Sequence, residues 1–182
     1  MNKFLITVGI IAIITTNQVN AQQRTTSTKQ STIKDTKDIE KAKNWITKVI
    51  ASTLNKANGL EENTNEEAEG KQKEIYNKKY MAYKDDATGV GMDGGMTLKA
   101  FKNKWAKDFS CQYAGVGNGY LVSGTDYGLI KVTHCVFKKK IGASYLFETV
   151  ITDTEAKIDY KRDIQIIPSG NSFLIEDILE YN

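Results

Sequence analysis

One histidine and two cysteines in 182 residues leave little from which to build a metal centre. A zinc site draws its ligands mainly from those two residue types, so no metal is expected. The chain also lacks a GxSxG elbow, an HExxH pair and a glycine-lysine phosphate loop. No catalytic residue and no cofactor follows from its motifs. Charge of one sign is scarce too: 25 Lys and Arg stand against 22 Asp and Glu, a net charge of +3. A nucleic-acid binder would show a concentrated basic face, so no nucleic-acid partner is expected. Beyond the N-terminus there is no long apolar run, which excludes a transmembrane helix in the remainder. Proline occurs once, while Lys, Asn, Ile and Thr are plentiful. That balance has the look of an AT-rich bacterial gene.

The N-terminus carries the one long apolar stretch. Lys3 precedes an apolar run from Phe4 to Ile14, and polar residues then lead to Val19-Asn20-Ala21. This is the pattern of an export signal cleaved after Ala21, which places the mature chain in the periplasm or outside the cell. The run falls short of the roughly 20 residues a membrane span needs. Residues 22–34, QQRTTSTKQSTIK, read as a flexible leader, being too polar to bury a core. Residues 35–182 then form a single domain. In an oxidising compartment Cys111 and Cys135 suggest a disulfide, closing a loop of about 25 residues worth about 3 kcal/mol. The other reading is two free, buried thiols.

Within the domain, helices come first. Ile39, Ala42, Ile46, Val49, Ile50, Thr53, Leu54 and Ala57 recur at steps of three and four. Asp35 or Thr36 can cap this helix and Gly59 can end it. After an acidic connector at 61–69, a second helix is expected from about Glu66 to Tyr83. Its face carries Ile75, Tyr76, Tyr80 and Tyr83. Residues 89–96, GVGMDGGM, meet the spacing of a dinucleotide-binding loop, yet no strand precedes them. They read as a turn, with Thr97 capping a third helix that presents Leu98, Phe101, Trp105 and Phe109.

Strands follow. Tyr120–Ser123, Leu129–Lys139, Ser144–Thr152, Ile158–Ile167 and Phe173–Tyr181 are rich in Val, Ile, Thr, Tyr and Phe, and turn residues separate them. The expectation is an α+β fold with N-terminal helices packed on a curved antiparallel sheet.

The closing SFLIEDILEYN, with Phe173, Leu174, Ile175, Asp177 and Ile178, resembles the last strand of the NTF2-like, or cystatin-like, cone superfamily. The preceding IQIIPSGN resembles its last hairpin. The resemblance spans residues 36–182 in element order. It implies a cone-shaped cavity between sheet and helices and allows a homodimer through the outer sheet face. It implies no particular reaction. Lys138, Lys139 and Lys140 would instead guard an edge strand.

Strict alternation puts His134 on one strand face with Ile130, Val132 and Val136, and Asp177 with Phe173, Ile175 and Leu179. If both faces line the cone, His134 and Asp177 become polar handles in an apolar pocket, beside Tyr80 and Trp105. The plainer reading makes them ordinary strand residues. Three functions remain open: an exported non-catalytic domain binding a small ligand or an envelope protein; an immunity-type protein neutralising a toxin; and a small cavity enzyme using His134 and Asp177.

Overall fold

A computed structural model describes the backbone of residues 19–60, 75–112, 114, 121–124 and 126–181, with side chains from residue 35 onward. The chain divides into two compact units, Met1–Lys37 and Asp38–Asn182. The export signal lies almost wholly outside the described residues. Helix α1 runs Val19–Ala57, so its first turns belong to the first unit. The leader read over 22–34 falls within those turns: its backbone continues the helix, while its side chains are outside the described set. No proline or glycine interrupts 19–57, so nothing in the sequence forces the helix to begin at Asp35.

The second unit holds the fold. Its α1 residues bury Ala42, Ile46 and Ile50. The helix ends at Gly59 in a left-handed turn (φ 70°), where Leu60 N–H reaches Asn55 O and Gly59 N–H reaches Lys56 O. This paired closure satisfies two carbonyls that the helix end would otherwise leave bare. Helix α2 spans Lys78–Gly89 and α3 spans Leu98–Trp105. The Asn77 side chain caps α2 by accepting from Lys79 and Tyr80 N–H, and Thr97 caps α3 by accepting from Ala100 N–H. Helix α2 therefore begins later than its tyrosine spacing suggests; residues 61–74 are outside the described set.

The glycine-rich stretch joins α2 to α3 as a turn. Gly91 and Gly94 have positive φ, and a Cβ on Gly95 would sit 1.9 Å from the Gly89 carbonyl oxygen. Glycine is required there by backbone contact alone. The element before it is a helix, whereas a dinucleotide loop follows a strand.

Four strands form one antiparallel sheet in chain order: β1 Ile130–Ile141, β2 Ser144–Asp153, β3 Ile158–Ser169 and β4 Ser172–Tyr181. Residues 121–124 bend without joining a ladder, so the described part of the strand expected at Tyr120–Ser123 is not a strand; Tyr120 is outside the described set. Leu121 and Val122 still bury their side chains in the core. The segment entering α2 meets the outer edge of β4 at Ile175 through an isolated bridge. Asn77 N–H donates to Ile175 O, and Ile175 N–H donates to Ile75 O. The helices pack on one sheet face, the α+β arrangement expected. Tyr80, Phe101, Phe147, Ile151, Ile164, Ile166 and Ile175 are fully buried between the layers. At roughly 1.5–3 kcal/mol for each large apolar side chain, this layer is the main source of stability.

The opposite face is polar. Lys138 on β1 bridges Glu148 on β2 and Asp163 on β3, and Tyr181 on β4 donates to Asp163. Thr133, Thr152 and Asp159 link β1 to β3, while Ser144, Gln165 and Glu176 link β2 to β4. These cross-strand pairs suit a water-facing surface.

Candidate functional site

Of the four residues expected to line a cavity, Asp177 and Tyr80 lie near one another, while His134 is on the other sheet face. His134 points away from the helices. The β1–β2 register slips between Val132 and His134. This bulge adds a residue and reverses the alternation that follows it. Ile130 and Val132 face the core as expected, but the next inward residues are Cys135 and Phe137. His134 and Val136 turn outward instead. The His134 side chain is 45% exposed, with Nε2 3.5 Å from Glu148 on the polar face.

The two cysteines are free thiols, so the disulfide is not formed. Each packs against different neighbours. Cys135 is buried opposite Thr149 of β2, and burial pushes its thiol pKa up. Cys111 lies after α3, with Sγ 3.8 Å from Phe109 O, and its pKa is also raised by burial.

Asp177 and Tyr80 do share a neighbourhood. A second slip, between Gln165 and Ile166, pairs Asp177 with Gln165 and Ile175 with Ile166, leaving Glu176 as the extra residue of β4. Burial raises the Asp177 pKa to about 6, against the N–H of Ile178 and the charge of Lys84, which favour the carboxylate. Tyr80 is fully buried; that burial, then the Asp177 charge, lift its phenol pKa well above normal.

Sequence reasoning missed three partners of this cluster. Lys84, one helical turn after Tyr80, is buried and lies 3.4 Å from Glu180 Oε1. Burial lowers the Lys84 pKa and raises that of Glu180. Arg162 on β3 is buried beside them and donates to Ser123 Oγ. Two cations therefore face two carboxylates in the interior. A lysine between Tyr83 and Asp85 carries no sequence signal of burial; only the i, i+4 spacing from Tyr80 hints at it.

Trp105 belongs to a different group. Its Nε1–H donates to Asp86 Oδ2 at 2.7 Å, which also takes Lys104 Nζ at 2.6 Å. The Lys104 hydrogen bond holds the Asp86 pKa down. Tyr83 stacks on Phe109 at 4.5 Å and meets Trp105 edge-on at 5.8 Å. Its hydroxyl donates to Ser110 O. These contacts tie α2 to α3 as core.

An open groove lies elsewhere, between α1 and the β3–β4 turn. One lobe, about 420 Å³, is lined by Asp38, Lys41, Tyr145, Asn171 and Phe173 among others. An adjoining lobe, about 350 Å³, shares Lys41, Asn171 and Phe173 and adds Asn44, Trp45 and Lys48. Trp45 and Phe173 lie 5.9 Å apart, and Phe173 meets Tyr145 at 6.3 Å. The groove thus combines three half-buried or buried rings with amide and ammonium groups. It holds no histidine or cysteine, and among the described residues no group of three His, Cys, Asp or Glu could hold a metal. Its sequence signal was slight: Trp45 borders the apolar stripe of α1, and Phe173 follows a turn.

No family model matches the chain, no curated protein matches it, and no solved structure matches it.

Proposed function

We propose that this chain is an exported, non-catalytic binding domain of the bacterial cell envelope, built on an NTF2-like cone and taking its ligand in the Trp45–Phe173 groove. The observation that carries the reading is the groove itself. Aromatic rings, amides and lysines meet at an open surface, with volumes in the range of ligand sites. The helix–sheet interior that a cavity enzyme would use carries large buried side chains instead. His134 and Asp177, the one acid–base pair the sequence offered, lie in separate environments. Export is supported by the N-terminal pattern, and among the described residues no helix is long and apolar enough to cross a membrane. The NTF2-like assignment is supported by element order, with helices followed by a four-strand meander.

Native mass spectrometry of the protein from the cell-envelope fraction tests this reading. The expected result is a chain beginning at Gln22 that carries an adduct released on denaturation. The adduct is lost in Trp45→Ala. A full-length cytoplasmic chain would overturn export, and an adduct indifferent to Trp45→Ala would overturn the groove as the site.

A further inference from the structure

We infer that the groove recognises a linear oligosaccharide bearing carboxylates, an oligouronide in chemical class; this deepens the binding reading above and rests on it. Three observations converge. The first is the ring platform. Trp45 and Phe173, both half-buried, present aromatic surface to the groove, with the buried Tyr145 edge-on behind Phe173. Such faces, negative at their centres, pack well against the polarised C–H face of a sugar ring. Asn44 and Asn171 flank them in the lining, each offering one acceptor and two donors to hydroxyl groups.

The second observation is charge. Lys41 and Lys48 line the groove, and among the described residues neither takes part in an ion pair. Lys140 Nζ stands 5.5 Å over the Tyr145 ring at the same end. Lys41 and Lys48 are seven residues apart on one helix, about 10.5 Å along its axis. That separation reaches carboxylates on different rings of a chain rather than two groups on one ring. Asp38 is the acid in the lining. Lys41 lines the same lobe and Lys140 stands over Tyr145, so lysines outnumber it there.

The third observation concerns the competing occupant, an acidic peptide. A peptide that adds to a sheet needs an unpaired strand edge. The β4 edge at Ile175 is already bonded to Ile75 and Asn77. The groove offers side chains, and those suit hydroxyl and carboxylate groups on rings.

Calorimetry with tetragalacturonate, maltotetraose and a poly-glutamate peptide tests the inference on the full mature chain. Tetragalacturonate should bind, weakening at least tenfold in Trp45→Ala. The exposed pair Lys41→Glu with Lys48→Glu should weaken it as much while leaving the melting temperature unchanged. Maltotetraose should bind at least tenfold less well. Equal binding of both sugars, or indifference to the lysine reversals, overturns the carboxylate requirement. Poly-glutamate binding without sugar binding overturns the ligand class. A Trp45-dependent native adduct without oligouronide binding does the same, and in both cases the binding reading survives. No binding by any probe, together with no native adduct, overturns both.

Discussion

The Asn55 side chain brackets the backbone of Ile130. Its Nδ2 donates to Ile130 O at 3.1 Å, and its Oδ1 accepts Ile130 N–H at 2.8 Å. Asn55 is buried in the last turns of α1, and Ile130 opens β1. One amide thus satisfies both polar groups of an edge residue that has its ladder on one side only. Asn55→Ala strands two backbone groups inside the core. An unsatisfied buried group costs about 1–3 kcal/mol, so the variant should lose about 2–3 kcal/mol. Urea unfolding measures this; a loss under about 0.5 kcal/mol would mean the clamp adds nothing.

The Lys84–Glu180 pair makes a different prediction. Both side chains are nearly inaccessible, at 3% and 7% exposure. Removing one partner leaves a buried charge, so Lys84→Met alone should cost about 3–5 kcal/mol. Combining Lys84→Met with Glu180→Leu removes both charges and leaves Arg162 with its bonds to Lys161 O and Ser123 Oγ. The double variant should recover most of the loss. A double-mutant cycle decides it: additive losses would show that the pair is not coupled.

The charge on Asp177 should work against the fold at neutral pH. Its folded pKa of about 6 exceeds the ordinary value of 3.8 because burial disfavours the carboxylate. The folded state therefore holds this proton more tightly than the unfolded chain. That contribution to stability is full below about pH 4 and is lost as pH rises through about 6. Asp177→Asn keeps the acceptor for Ile178 N–H and removes the charge. It should be more stable than the parent by about 1–3 kcal/mol at pH 7 and close to it at pH 4. An advantage that stays constant between those two pH values would sink the argument.

Periodicity made much of this fold legible. The α1 stripe, the Thr97 cap, the glycine turn and the last four strands follow from local spacing, and each appears where local physics puts it. What escaped was set by single residues acting at a distance. The slip after Val132 exchanges His134 for Cys135 at the core face, and no local pattern announces it. Glu176 does the same beside Asp177. Lys84 is buried because Glu180, 96 residues away, is there to meet it. The groove likewise needs Trp45 and Phe173 side by side, which only the tertiary fold provides.

Thiol chemistry checks the β1 slip directly. If Cys135 rather than His134 faces the core, its thiol is buried between the sheet and the helices. Burial raises both thiol pKa values, so little thiolate forms near pH 7. Cys111 is only partly buried and should react with Ellman's reagent first and slowly. Cys135 should react only as the domain unfolds. Cys111→Ser should therefore abolish the early phase and leave the late one. Two thiols should titrate in denaturant without reductant. None would mean that a bridge forms after all, against the free thiols seen here. Early labelling of Cys135 would mean that the slip is absent and that His134 turns inward, restoring the acid–base pair the sequence first offered.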